Sequence, residues 1–324
     1  MPIYLRFDKS TDANALASAV VKVVNAHPYF RDVCLAMGEE DVIQTLAGGK
    51  QQVNVPVLRM NENEAAEYRK NFIKPFDLMK APLYRFEVLA TGEAVYLLID
   101  MQHLVSDGTS LSIFISQLKT LLECGKIEEE RNSYLHYSHH EHQWLNGSEG
   151  ANAAEFYKTM LANCEAASDI PSDKRNSGEA GARGIISRRI PINKIEKFCR
   201  KENLSPAALY LAATGYATAR FCNTRSAFIS TISSGRSDNR FAETFGMFVK
   251  TLPVGMEICD TSALEFALKA GQTLADVVAN EMYPYAKICT DYNYAPNIAY
   301  EYQFGVVDDF IINGNTVKRH LFDV

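Results

Sequence analysis

The sequence predicts an α/β protein of two lobes, layered in the α+β manner, on three observations. Strand-like and helix-like segments alternate through both halves of the chain. A polar stretch, residues 165–184, lies between the halves. One corner between an apolar strand and an amphipathic helix gathers a histidine, an aspartate and a glycine.

In chain order, "IYLRF" (3–7) reads as a strand. Ser10, Thr11 or Asp12 can cap a helix whose Leu16, Val20, Val23 and Val24 recur on one face, and Pro28 ends it. "DVIQTL" and "QVNVPVL" read as further strands and "ENEAAEYRKNFIK" as a helix. "PLYRFEVLATGEAVYLLIDMQH" reads as two strands turning at Thr91 and Gly92. From Ser110 the period becomes helical, with Leu111, Phe114, Ile115, Leu118 and Leu122 on one stripe. A helix is expected over 150–163. "EAASDIPSDKRNSGEAGARG" (165–184) is a linker by composition.

The second half repeats the style. "IISRRIPI" reads as a strand, "INKIEKFCRKEN" and "SPAALYLAATGYATARF" as helices, "SAFISTISS" as a strand and "SALEFALKAGQTLADVVANEM" as a long helix. The expected division is an N-terminal lobe over 1–150, a connecting helix and linker over 151–184, and a C-terminal lobe over 185–324. Small residues in "ATGYATARF" indicate close helix packing, not a nucleotide loop.

Composition limits the function classes. With 47% hydrophobic and 22% charged residues the chain is neither disordered nor fibrous. A net charge of -6 leaves no electrostatic footprint for nucleic acid or an anionic membrane. The opening residues have no signal-peptide pattern, and no apolar run reaches the roughly 20 residues that cross a bilayer. The seven cysteines are scattered without a Cys-x-x-Cys pair, which fits reduced thiols in the cytoplasm.

The stretch "LLIDMQHLVSDGTSLSIFISQL" (97–118) carries the chemistry. Val95 to Met101 is nearly continuous apolar sequence, as in a strand buried on both faces. Residues 102–108 then lie at the carboxyl end of that strand, where α/β proteins commonly bind ligands. His103 can orient a nucleophile or take a proton from it. Asp107 could orient the ring or turn away to an arginine. Gly108 allows a backbone conformation or a close approach that a Cβ would forbid. A hydrogen-bonded structural histidine and an ordinary Asp-Gly cap are the plain alternative.

That corner resembles the His-His-x-x-x-Asp-Gly motif of the condensation domains of nonribosomal peptide synthetases, within the chloramphenicol acetyltransferase-like superfamily. Here it stands as Gln102-His103-Leu104-Val105-Ser106-Asp107-Gly108, with Ser110 matching the usual extension. Other segments follow in the family's order: His27 to Arg31; Pro75, Phe76, Asp77 and Leu78 with Pro82, Leu83 and Arg85; and Gly235, Arg236, Gly246, Phe248, Thr251, Leu252 and Pro253. "YPYAKI" (283–288) matches the aromatic segment after the next long helix.

The resemblance implies two chloramphenicol acetyltransferase-like lobes in a V with a central tunnel. It implies amide formation between a donor acyl or aminoacyl thioester and an acceptor amine. Both would be held on peptidyl carrier proteins, with an adjacent adenylation domain. No resident cofactor or metal is implied; the phosphopantetheine arms come from the carriers. His103 matches the catalytic histidine, and Gly108 the residue whose N–H faces the developing oxyanion. Asp107 and Arg236 match a structural ion pair, and Gln102 a loop-supporting position held in the family by the first histidine. Alternatives of other kinds are a freestanding acyltransferase acting on a soluble thioester and an inactive scaffold.

Lys250 stands where the family has asparagine. The family's first and last segments are expected to be missing, leaving the C-terminal lobe incomplete at its end. "YSHHEHQW" (137–144) clusters His139, His140, Glu141 and His142, but neighbouring histidines on a helix diverge, so a solvated helix is expected in place of a metal site.

Overall fold

A computed structural model describes residues 1–39, 41–162, 168–171, 184–258, 260–294, 296–303 and 309–322. The strands are β1 (Pro2–Asp8), β2 (Val33–Met37), β3 (Val42–Leu46), β4 (Val57–Arg59), β5 (Tyr84–Ala90), β6 (Ala94–Met101), β7 (Ser226–Ser233), β8 (Lys250–Glu257), β9 (Ala299–Tyr300), β10 (Phe310–Ile312) and β11 (Asn315–Leu321). The helices are α1 (Ala13–Asn25), α2 (Pro28–Asp32), α3 (Glu62–Lys70), α4 (Gly108–Cys124), α5 (Tyr134–Leu145), α6 (Ser148–Leu161), α7 (Ile192–Lys201), α8 (Pro206–Cys222), α9 (Ala263–Ala279) and α10 (Tyr285–Tyr292).

The chain forms two compact units. The first joins Met1–His140, Arg236–Phe248 and Gln303–Val324; the second joins Glu141–Gly235 and Val249–Tyr302. The sequence places its lobes along chain order, as 1–150 and 185–324. In the structure two later segments cluster with the first unit. For one of them the cause is strand pairing: β11 lies antiparallel to β1 from Ile3 opposite Leu321 to Arg6 opposite Lys318. Much of the expected linker lies outside the described residues. Of its described part, Ser168 bonds to Phe228 in both directions, through its N–H to the Phe228 carbonyl and from the Phe228 N–H to its Oγ.

The first unit is built on a six-stranded sheet in the order β10-β11-β1-β6-β5-β4. Its central strand β6 is buried at all eight positions. Val95, Leu97, Ile99 and Met101 join the core made with α1 and α4, whereas Ala94, Tyr96 and Leu98 join Ala65 of α3 on the opposite face. Burial on both faces is why the strand reads as an unbroken apolar run. Each fully buried Leu or Phe contributes roughly 1.5–3 kcal/mol.

The helix ends follow their sequence signals. Asp12 is the residue that caps α1, accepting from the N–H groups of Asn14 and Ala15. Asp107 caps α4, and Gly125 in the left-handed region (φ 77°) ends it. Two expected strands change. Of 52–58 only Val57 and Leu58 are paired, in the strand that runs on to Arg59, since Pro56 has no N–H for a ladder. Residues 184–190 pair with no strand among the described residues, so "IISRRIPI" stays open, with Ile186 94% exposed. The β10–β11 hairpin is additional. Asn313 (φ 47°) and Gly314 (φ 79°) supply its two left-handed turn positions.

The second unit holds a three-stranded sheet, β8-β7-β9, with β7 antiparallel to β8 and parallel to β9. Helices α8 and α9 approach closely because a Cβ on Gly271 would lie 3.2 Å from the Ala208 Cβ. Among the described residues no helix is long and apolar enough to cross a membrane.

Candidate functional site

The corner between β6 and α4 is fixed at both ends. On the strand side the Gln102 N–H donates to the Leu83 carbonyl at 2.9 Å, extending the pairing of β5 and β6 by one residue. The Gln102 side-chain oxygen accepts from the Leu104 N–H at 3.3 Å, so this side chain holds the turn from within. The Gln102 carbonyl accepts from the Val105 N–H at 3.2 Å and from the Ser106 hydroxyl at 2.9 Å.

On the helix side Asp107 is 0% exposed. Its Oδ1 accepts from the Ser110 N–H (2.7 Å), the Ser110 hydroxyl (2.9 Å) and Nη2 of Arg236 (3.0 Å). Its Oδ2 accepts from the same Nη2 (3.1 Å) and from the Phe248 N–H (3.1 Å). Both oxygens are thus taken, and none of these bonds goes to His103. The aspartate caps a helix and pairs with an arginine 129 residues away; it does not orient the imidazole.

Arg236 is held as firmly. Its Nη1 donates to the carbonyls of Phe241 (2.9 Å) and Thr244 (2.6 Å), and its guanidinium lies 4.0 Å from the centre of the Phe248 ring. Burial pulls the guanidinium below its ordinary pKa, and the charge of Asp107 opposes that shift. A buried arginine of this kind needs its carboxylate.

The segment 236–248 is fastened to the rest of the first unit at several further points. The Ser110 hydroxyl bonds to the Gly246 carbonyl (3.0 Å) and accepts from its N–H (3.2 Å). The Phe245 N–H donates to Oε1 of Glu130 at 2.8 Å, and the Phe245 ring stacks on His27 with centroids 3.8 Å apart. Gly246 has no room for a side chain, because a Cβ there would lie 2.2 Å from the Tyr134 ring. Gly246→Ala is therefore expected to displace Tyr134, loosen both Ser110 bonds and lower stability by about 1–3 kcal/mol. A urea titration reads this as a lower unfolding midpoint; an unchanged midpoint would contradict the close packing.

His103 has a different setting. It is exposed, and its Nδ1 lies 3.0 Å from the Ser106 carbonyl. A carbonyl only accepts, so this bond carries the proton on Nδ1 and leaves Nε2 of a neutral ring as a base. Gly108 is the first residue of α4. It is not in the left-handed region, and a Cβ there would meet nothing within 4 Å. The corner thus does not need glycine for its backbone conformation; what glycine leaves is open space. Asp107 takes the Ser110 N–H, whereas those of Gly108 and Thr109 point from a helix N-terminus and have no acceptor among the described residues. The arrangement offers a base and a pair of fixed donors on one short stretch of chain, with open space beside Gly108.

The structure therefore brings together Gln102, His103, Asp107, Gly108 and Arg236. It adds Ser106, Ser110, Gly246 and the Phe248 N–H, of which Ser110, Gly246 and Phe248 carry a motif signal and Ser106 carries none. Lys250 belongs to the second unit and pairs there with Glu141. His140 faces Asp238 at 3.6 Å and His142 bonds to Asn146. Among the described residues no group of three histidine, cysteine or carboxylate side chains could hold a metal ion.

A family model described as "Condensation domain" matches residues 1–305. Bacitracin synthase 1 of Bacillus licheniformis is 26% identical over 263 residues, which cover 78% of this chain and only 5% of that synthase. The X-domain from teicoplanin biosynthesis superposes with a TM-score of 0.78 at 17% identity, over 100% of this chain and 78% of that one. The first condensation domain of the calcium-dependent antibiotic synthetase, in complex with a substrate analogue, gives 0.75 at 14% identity, over 99% and 78%.

Proposed function

This chain belongs to the condensation domain family and has its chloramphenicol acetyltransferase-like α/β fold, and on that premise we propose that it forms an amide between two carrier-bound substrates. The donor is an acyl or aminoacyl thioester and the acceptor an amine, each on the phosphopantetheine arm of a peptidyl carrier protein. An adjacent adenylation domain would supply the loaded arms. The observation that carries this reading is the exposed His103 with Nδ1 already bonded and Nε2 left as a base, on the same loop that ends at the helix-starting Gly108.

In the reaction the acceptor nitrogen attacks the thioester carbonyl and its proton passes to Nε2 of His103. The carbonyl oxygen takes up negative charge facing the Gly108 N–H, a donor fixed by the helix and needing no reorganisation. The C–S bond then breaks, and the proton on Nε2 passes to the departing sulfur, giving an amide and a free thiol. Asp107 and Arg236 hold the corner without touching the reacting atoms.

A second reading is a condensation-like domain that recruits a partner without chemistry. Gln102 favours it, since an amide cannot carry a proton where the family has its first histidine. The likeness to the X-domain is of fold only, although an X-domain is also known in complex with OxyB.

The source of the donor separates amide formation on carriers from a freestanding acyltransferase. The same acyl group is offered on a carrier or as a small soluble thioester, and the amide is measured by mass spectrometry. The carrier-bound donor is expected to react roughly tenfold or more faster, because binding of the remote carrier contributes at the reacting centre. Equal rates would favour the soluble-thioester enzyme.

A further inference from the structure

We propose that Ser106 is a positioning residue for His103, fixing the imidazole in the form protonated on Nδ1. This rests on the amide-forming reading above, but its main test needs no reaction.

Ser106 is buried between two anchors. Before it, Gln102 is tied to the sheet through its N–H on the Leu83 carbonyl, and the Ser106 hydroxyl donates to the Gln102 carbonyl at 2.9 Å. After it, Asp107 is immobilised by Ser110, Arg236 and Phe248. The Ser106 carbonyl lies between these anchors and meets Nδ1 of His103 at 3.0 Å. Among the described residues the ring has no other polar partner. A neutral imidazole free in water favours the proton on Nε2, which would turn the wrong nitrogen towards an amine. The partner of one ring nitrogen decides which form is present.

Removing the hydroxyl leaves the Gln102 carbonyl with only the longer bond from Val105, at 3.2 Å. The peptide between residues 106 and 107 then keeps its anchor only on the Asp107 side, and its carbonyl can tilt away from the ring. A buried hydroxyl that merely satisfied a carbonyl would alter stability on removal without altering the form of His103.

The test is NMR of the full chain with 15N-labelled histidine, the His103 signals assigned by their loss in His103→Gln. The native chain is expected to show the Nδ1-protonated form. Ser106→Ala is expected to shift the ring towards Nε2 protonation and to lower kcat about 10²-fold with KM nearly unchanged, as for misplacement of a catalytic group. Ser106→Thr keeps the hydroxyl and should recover both. An Nε2-protonated ring in the native chain, or an unchanged ring form in folded Ser106→Ala, overturns the proposal. The functional reading fails separately, if His103→Ala leaves amide formation intact.

Discussion

Asp107→Ala is expected to lower the stability of the first unit by about 3–5 kcal/mol, the usual cost of breaking a buried ion pair by removing one partner. The loss has three sources. Arg236, only 5% exposed at its side chain, keeps a buried charge without its carboxylate. The Phe248 N–H loses its acceptor, and so does the Ser110 N–H, whose bond to Asp107 is the cap of α4 and is worth about 1 kcal/mol. Against a typical total of about 5–15 kcal/mol this is large, so poor folded yield is the first expected sign.

Asp107→Asn should lose less, because the amide oxygen can still cap the helix, although its NH2 cannot accept from the Phe248 N–H as Oδ2 does. Arg236→Leu introduced into Asp107→Ala should recover part of the loss by removing the stranded cation, and the double-mutant cycle measures the coupling. Urea unfolding of the four proteins gives the quantities. A fully stable but inactive Asp107→Ala chain would contradict the structural role and return the aspartate to the histidine as an orienting group.

The parts of this site differ in how far the sequence reveals them. The β6–α4 corner is legible because its signals are local. An apolar run buried on both faces gives way to the stripe of Leu111, Phe114, Ile115 and Leu118, all of which reach the core. The Asp107–Arg236 pair is not local. Nothing in the spacing of residues 129 apart selects this arginine from the others, and only the family resemblance points to it. Ser106 has no signature at all, since a serine before Asp-Gly reads as an ordinary loop residue until its hydroxyl is seen on the Gln102 carbonyl.

The same contrast runs through the fold. The Asn313-Gly314 turn is a local hairpin signal and sufficient in itself, yet the pairing of its second strand with β1 joins the two ends of the chain. That non-local pairing, with the clamps on Gly246 and Phe245, makes the compact units discontinuous. "IISRRIPI" is the reverse case. Its composition favours a strand, but strand formation needs a partner edge, and among the described residues it has none.

His103→Ala is the second large effect, and it should appear in rate instead of stability. The side chain is exposed and among the described residues makes one bond, to a backbone carbonyl, so its loss should change stability by no more than about 0.5 kcal/mol. Removing a general base or amine-orienting group costs about 10²–10⁴ in rate. Gln102→Ala acts less directly, through the Leu104 N–H that its amide holds. Gln102 thus supports the turn, and the proton chemistry falls to the single histidine beside it.

The division of labour between His103 and its buried supports is tested most directly by single-turnover amide formation from a donor-loaded and an acceptor-loaded carrier. The native and His103→Ala chains are compared after unfolding midpoints have shown both to be folded. The expected result is a loss of about 10²–10⁴ at matching midpoints. Equal rates in the two folded chains would contradict His103 as the group that handles the acceptor amine.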